Sequence, residues 1–340
     1  MYGKAFAPEY QGALGSSLSV NSSYEEVLAR ASEEQRQSVL EYARAGLAVA
    51  EANRRLGRVA DAEQAWRESY RAARRAGDKG AMAWALWSGG TLARQCGRLA
   101  LARRWLAAAA ELAEQGGDRT ARGYSVAGLA ETGRIQGDYA AVGELHEQLL
   151  AEAREYGEAR HMVWALEGIA QMHRNTGSYD EALAMFREAA EIAGNADDAR
   201  GRAWALRGIA DVLSLQGRPE RALELLTEAE GVCRAMDLSS ALAYNHKMQG
   251  NVLFRAGRYE QAREVYAGAL CEFRAIQELR GEALSRLGLV KARARLGRSA
   301  TETLAELEEL HRTFDRIGLL HARSSVEKFR AEMENPAHAV

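Results

Sequence analysis

Aromatic, polar and arginine residues recur in this chain at intervals of forty positions. The aromatic row consists of Trp84, Tyr124, Trp164, Trp204 and Tyr244. A polar row, seven positions further along each segment, consists of Glu51, Thr91, Glu131, Gln171, Asp211 and Asn251. An arginine row lies three positions beyond it: Arg54, Arg94, Arg134 and Arg174. Guanidinium groups bind carboxylates or phosphates through paired hydrogen bonds, and aromatic rings stack on ligands. The rows therefore predict a site for an anionic or aromatic ligand.

A fourth row, three positions after the aromatic row, changes character along the chain. It runs from Leu47 and Trp87 through Ala127 and Glu167 to Arg207 and Lys247. Variation of this kind is more typical of a ligand-binding surface than of a uniform scaffold. The predicted ligand-binding residues are Trp84, Trp87, Tyr124, Trp164, Trp204, Tyr244, Arg54, Arg94, Arg134, Arg174, Arg207, Lys247, Gln171 and Asn251.

A series of glycines at the same interval indicates which elements position these rows. The series is Gly57, Gly97, Gly137, Gly177, Gly217, Gly257 and Gly297. Glycine readily adopts the left-handed conformation that ends a helix, so each member predicts a tight turn between two helices. Helix A precedes the turn and helix B follows it, and Pro219 falls where the first turn of a B helix tolerates proline.

The composition is that of a soluble, helical protein. Apolar residues make up 47% and charged residues 27%, and only three prolines occur. The net charge of −2 supplies no overall basic field for binding nucleic acid. No long apolar stretch predicts a membrane span, so we expect a cytoplasmic protein. The three cysteines and the histidines have no metal-ligand spacing, and neither a metal nor a cofactor is expected.

The apolar pattern of the A helices predicts which way the aromatic row points. Leu86, Val126, Leu166 and Leu206 form a stripe at helical spacing that we expect to be buried. The aromatic row lies on the opposite side of each helix, so its rings should face away from the core. Two alternatives stay open. The rings could pack between neighbouring A helices, and the arginines could form ion pairs with Glu51, Glu131 and Glu167.

The turn segments resemble those of tetratricopeptide repeats. The resemblance rests on residues 177–182 and 257–262, on the helix B aromatics Trp66, Phe186 and Tyr266, and on later small residues such as Ala189. It covers about residues 40–334, but the period is forty rather than thirty-four, and the proline after helix B is missing. The longer repeats are similar to those of Rap-type peptide receptors and of regulator C-terminal arrays. The resemblance implies that the A helices line a concave groove.

These observations predict an all-α, right-handed α-solenoid of about seven helix-turn-helix repeats with a C-terminal capping helix. Residues 1–22 are expected to be a flexible segment, residues 23–334 the superhelical domain and residues 335–340 a tail. A second reading of residues 1–20 is that they occupy the groove as an internal ligand. Residues 320–334 stand in the register of an eighth A helix, which a solenoid needs to shield its last apolar face.

The function expected from this fold is binding of a protein, a peptide or a small anionic or aromatic ligand in the concave groove. A regulatory or sensing adaptor is one form of it, and homo-oligomerisation stays open. The alternative is an enzyme whose pocket uses Glu131, Glu167 or Asp211 as acid or base. Acidic residues within the same rows argue against single-stranded nucleic acid as the ligand.

Overall fold

The computed structural model describes residues 42–334, which form fifteen α-helices, one short 3-10 helix and no β-strand. The A helices are α1 (Tyr42–Arg55), α3 (Lys79–Gln95), α5 (Arg119–Gln136), α7 (Ala159–Thr176), α9 (Ala199–Leu215), α11 (Ser239–Arg255), α13 (Leu279–Arg295) and α15 (Arg323–Glu334). The B helices are α2 (Val59–Ala76), α4 (Leu99–Gly116), α6 (Tyr139–Tyr156), α8 (Tyr179–Asn195), α10 (Pro219–Ala235), α12 (Tyr259–Ala275) and α14 (Ala300–Ile317). The predicted N-terminal segment and C-terminal tail lie outside the described residues.

The seven predicted turns are confirmed. Every turn glycine has a positive φ, between 71° and 94°. The turns from helix B to the next helix A use the same conformation, which the forty-residue pattern did not reveal. Gly77, Gly117 and Gly157 adopt it in the first half, and Asp197 and Asp237 adopt it later, with φ of 51° and 48°. The chain therefore changes direction every twenty residues.

Successive A helices pack on one another from α1 to α13, whereas successive B helices of the described chain form no comparable contact. Helices on the inside of a curved stack are closest together, so the A helices line the concave side. The prediction of an all-helical solenoid of repeats is confirmed.

In several hairpins a large helix B side chain packs directly on a helix A glycine. Phe186 of α8 is 1% exposed, and a Cβ at Gly208 of α9 would lie 2.3 Å from its ring. Tyr266 of α12 meets Gly250 and Gly288 in the same way. These glycines allow ring and helix backbone to approach closely, which explains why glycine recurs within long helices. The capping helix buries Val326 and Phe329 against the last hairpin.

The curved stack closes on itself. Gln277, before α13, donates from Nε2 to the carbonyl oxygen of Gly57 at 3.0 Å, and Gln95 of α3 donates to the carbonyl oxygen of Ile276 at 3.0 Å. Any side chain at Gly57 would place its Cβ 2.8 Å from the Cα of Ile276. Leu99 and Ile135 also join the apolar cluster of the last hairpin. Contacts between the two ends of the array thus enclose the concave side.

Candidate ligand-binding surface

The aromatic row lies between neighbouring A helices. Trp84 is 1% exposed and Tyr124 is 2% exposed, and their ring centroids are 5.2 Å apart. Tyr124 also meets Trp164 at 4.5 Å, and Trp204 meets Tyr244 at 5.7 Å. The prediction that the whole row faces an open groove is therefore wrong, and the alternative of packing between A helices describes it. Trp87 of the fourth row is likewise buried.

Two of the buried rings have a carboxylate as hydrogen-bond partner, which the sequence analysis missed. Trp84 Nε1 donates to Asp118 Oδ2 at 2.9 Å, and Asp118 Oδ1 accepts the N–H of Ala121 at 2.8 Å. Tyr244 Oη donates to Glu278 Oε2 at 2.8 Å, and Glu278 accepts the N–H of Gly281. One carboxylate thus caps an A helix and fixes the ring of the preceding A helix. The sequence contains the clue, since each acid lies thirty-four residues after its ring.

The acids at this position form a series that is interrupted once. Asp78, Asp118 and Asp198 cap α3, α5 and α9, and Glu158 precedes α7 but contacts His161 instead of capping the helix. Leu238 precedes α11. No side chain caps α11, and Trp204, whose partner would stand at position 238, has a buried Nε1 without a hydrogen bond. A buried indole N–H without an acceptor costs about 1–3 kcal/mol. The structure is locally destabilised next to α11.

Three of the four arginines in the arginine row are paired with carboxylates. Arg54 pairs with Glu51 at 2.8 Å, Arg134 with Glu131 at 2.7 Å and Arg174 with Asp211 at 2.5 Å. Arg94 instead donates to the Gly128 carbonyl oxygen at 3.5 Å, and burial lowers its pKa to about 10. The ion-pairing alternative therefore applies to most of this row, with Asp211 as a partner that the sequence did not indicate.

The carboxylates considered for catalysis have different environments. Burial would raise the pKa of Glu131, but Arg134 and Arg280 hold it well below its usual range. Arg174 and Arg255 likewise outweigh burial and lower the pKa of Asp211. Ion-paired carboxylates of this kind are poor general acids. Glu167 differs, because burial raises its pKa to about 8.

The fourth row supplies half-buried charged side chains to the concave side. The guanidinium of Arg207 stacks 3.7 Å from the ring centroid of Trp204 and lies 5.5 Å from that of Tyr244. Burial lowers the pKa of Arg207 to about 10 and the pKa of Lys247 to about 7. The pKa of a charged group at this depth depends on the charge and polarity of any ligand that binds next to it.

The amides of the polar row lie on the same concave side. Gln171 of α7 and Asn251 of α11 are both half-buried. Asn251 Oδ1 accepts a hydrogen bond from Tyr266 Oη at 2.8 Å, while its Nδ2 contacts only a methionine sulfur, at 3.7 Å, within the described residues. Each amide offers a donor and an acceptor.

A small cleft with a volume of about 30 Å³ opens where the two ends of the array meet. Arg54, Arg55 and Gln95 line it from the first two hairpins, and Arg200 and the start of α11 line it from the opposite side. Of its three guanidinium groups, those of Arg54 and Arg55 pair with Glu51, which offsets part of their charge. Among residues 42–334, no cluster of side chains has the composition of a metal site, and no helix is long and apolar enough to cross a membrane.

Comparison with known proteins supports the fold read from this geometry. Residues 161–235 match the family model described as tetratricopeptide repeat, and residues 17–95 and 299–333 match that of anaphase-promoting complex subunit 5. The fold is the tetratricopeptide-repeat superhelix. No curated protein matches the sequence.

Solved structures with the same tetratricopeptide-repeat architecture include two Rap proteins. A Rap protein complexed with Competence and Sporulation Factor is 13% identical, with a TM-score of 0.63 over 97% of this chain and 99% of that chain. The Rap conjugation gene regulator of plasmid pLS20, in complex with the Phr* peptide, is 13% identical, with a TM-score of 0.64 over 87% and 78%.

A third similar structure is a signal transduction ATPase with numerous domains from Pyrococcus horikoshii, which carries a tetratricopeptide repeat sensor. It is 13% identical, with a TM-score of 0.52 over 96% of this chain and 53% of that chain. At this identity the three likenesses establish a common fold.

Proposed function

We propose that this chain is a peptide-binding module whose concave side receives an extended peptide. The observation that carries the proposal is the ladder of polar side chains that successive A helices present at one register on that side. Amides such as Gln171 and Asn251 can bind both the N–H and the carbonyl of a peptide backbone. The likeness to Rap proteins solved with bound partners supports this use of the fold.

A selection from a displayed library of random heptapeptides tests the proposal. The full chain is immobilised, and enriched peptides are synthesised and measured by calorimetry against the wild type and a Gln171→Ala/Asn251→Ala variant. Losing several backbone hydrogen bonds should weaken binding at least about tenfold. Gln148→Ala, an exposed change on α6, is the matched control and should leave affinity unchanged. An empty selection, or equal affinity for the double variant, would contradict the proposal.

A regulatory role is the second part of the proposal, and the closing contacts support it. Arg280 of α13 donates from Nη1 to Glu131 of α5 at 2.6 Å and from Nε to Tyr244 Oη at 2.7 Å. Tyr244 in turn contacts Trp204, which carries the stacked Arg207. A ligand near α9 and α11 therefore acts on the contact that closes the array. Small-angle scattering with a selected peptide should show a changed radius of gyration, and identical curves would refute this part.

A further inference from the structure

The amine of Lys247 lies on α11, half-buried, without a partner of its own. Within residues 42–334 its Nζ forms no hydrogen bond and no ion pair. A buried ammonium group is normally paired with a carboxylate, because burial removes the water that stabilises its charge. Burial lowers the pKa of Lys247 to about 7. Near neutral pH, much of this amine is therefore uncharged, and an uncharged amine is a nucleophile.

The charges around the amine come from three successive A helices and are mostly positive. Asp211 of α9 pairs with Arg174 of α7 at 2.5 Å and with Arg255 of α11 at 2.7 Å. Arg207 lies one turn before Asp211 on α9. In addition to burial, all three guanidinium groups lower the pKa of Lys247, whereas the single carboxylate raises it. Surroundings with this excess of positive charge disfavour an ammonium group and favour an anion at the same place.

Two of the guanidinium groups keep donors that no atom of the described chain accepts. Nε of Arg174 is buried without a hydrogen-bond partner. The guanidinium of Arg207 stacks 3.7 Å from the ring centroid of Trp204, and stacking leaves the N–H groups in its plane unused. Glu167 precedes Arg207 in the same row but forms no ion pair with it, and burial raises the pKa of Glu167 to about 8. The donors therefore lack an anion.

We infer that Lys247 is a site of reversible carbamylation by carbon dioxide, at which the guanidinium groups around it stabilise the carbamate. The lone pair of the neutral amine attacks the carbon of CO₂, so that an N–C bond forms while one C=O π bond opens onto oxygen. The nitrogen then loses a proton to water, and R–NH₂ and CO₂ give R–NH–COO⁻ and H⁺. No oxidant, metal or further reactant is consumed. The product is planar and has two oxygens, which suits guanidinium donors.

This modification goes beyond peptide binding and does not depend on it. Carbamylation replaces a group that is neutral or positive by an anion, so it reverses the charge at one position of the concave side. Because the addition is reversible, the charge at Lys247 follows the concentration of dissolved CO₂.

Trapping of the carbamate in the full chain tests the inference. The protein is equilibrated with ¹³C-labelled bicarbonate and CO₂ and treated with triethyloxonium, which converts a carbamate into a stable ethyl ester. Peptide mass spectrometry then locates the labelled adduct. Lys291 of α13 is an internal control, because burial lowers its pKa too, but its ammonium lies 5.4 Å from the ring centroid of Phe329, which stabilises the charged form. We expect at least about tenfold more adduct on Lys247 than on Lys291.

The pH dependence supplies a second measurement on the unaltered chain. At a fixed concentration of dissolved CO₂, the adduct on Lys247 should increase between about pH 6 and about pH 8, because the protonated amine cannot attack. Carbon-13 NMR should show a carbonyl resonance distinct from those of bicarbonate and CO₂ that is absent from Lys247→Arg. No adduct on Lys247, equal adducts on Lys247 and Lys291, or equal amounts at both pH values would overturn the inference.

The variant Arg207→Gln tests the role of the surrounding charge. It removes one guanidinium, which raises the protonated fraction of the amine and takes a donor from the carbamate, so the adduct should fall about tenfold. Arg221→Gln, an exposed change on α10, is the matched control and should retain the adduct. Circular dichroism establishes that both variants are folded. An undiminished adduct in folded Arg207→Gln would contradict stabilisation by this group.

Discussion

The contact between Asp118 and Trp84 allows a quantitative prediction for the variant Asp118→Ala. The substitution removes the cap from α5, where Asp118 accepts the N–H of Ala121 at 2.8 Å, and removes the acceptor of an indole that is 1% exposed. Loss of a cap costs about 1 kcal/mol, and a buried indole N–H without a partner costs about 1–3 kcal/mol. Burial also raises the pKa of Asp118, so its removal recovers some desolvation. We expect a net loss of roughly 2 kcal/mol of unfolding free energy.

The matched control is Asp78→Ala. Asp78 caps α3 by accepting the N–H of Ala81 at 2.9 Å, but the residue thirty-four positions before it is Arg44, so no indole loses its acceptor. The loss of this cap should cost about 1 kcal/mol. Adding Trp84→Phe to each background completes a double-mutant cycle, with a coupling energy of about 1 kcal/mol expected for Asp118 and about zero for Asp78.

Urea unfolding followed by circular dichroism gives these free energies. Because repeat arrays can unfold in segments, hydrogen exchange of peptides from α3 and α5 should accompany it. Faster exchange confined to α3 and α5 in Asp118→Ala would locate the loss at their contact. Equal losses for Asp118→Ala and Asp78→Ala, with no coupling to Trp84, would refute the assignment of the aromatic row as a set of inter-repeat contacts.

Three further outcomes follow from other parts of the structure. Arg280→Gln breaks the ion pair between Arg280 and Glu131, two side chains that are 15% and 29% exposed. Because this pair joins distant repeats, its loss should increase the radius of gyration in scattering. Lys247→Met should stabilise the chain most below about pH 7, because burial lowers the Lys247 pKa to about 7. Its advantage should shrink as pH rises towards the unfolded pKa of about 10.4, which urea titrations at about pH 6 and pH 9.5 can measure. Gly208→Ala places a Cβ 2.3 Å from an aromatic ring and should cost about 1–3 kcal/mol, whereas Gly231→Ala meets no atom within 4 Å and should gain about 0.5–1 kcal/mol in thermal unfolding.

Sequence reasoning failed for the aromatic row because helical geometry alone does not say what covers a face. Trp84 and Tyr124 lie opposite the apolar stripe and were expected to face away from the core, but the neighbouring A helix covers them. The polar residues further along the same side of each helix are accommodated by ion pairs, as Glu131 is by Arg134. A polar row beside an aromatic row therefore did not imply that the rings face solvent.

The sequence by itself determined the repeat number and the turns from helix A to helix B, because these depend on a few neighbouring residues. A glycine such as Gly97 ends a helix through its own backbone conformation, and an aromatic such as Phe186 requires a small residue, Gly208, opposite it. The tertiary structure alone decided the closure of the array and the pairing of the charges inside it. Closure depends on small rotations accumulated over seven hairpins, which bring Gln277 to Gly57 although 220 positions separate them. No single repeat encodes this accumulated rotation, so no local pattern could reveal which charged groups pair across the array, as Arg280 does with Glu131.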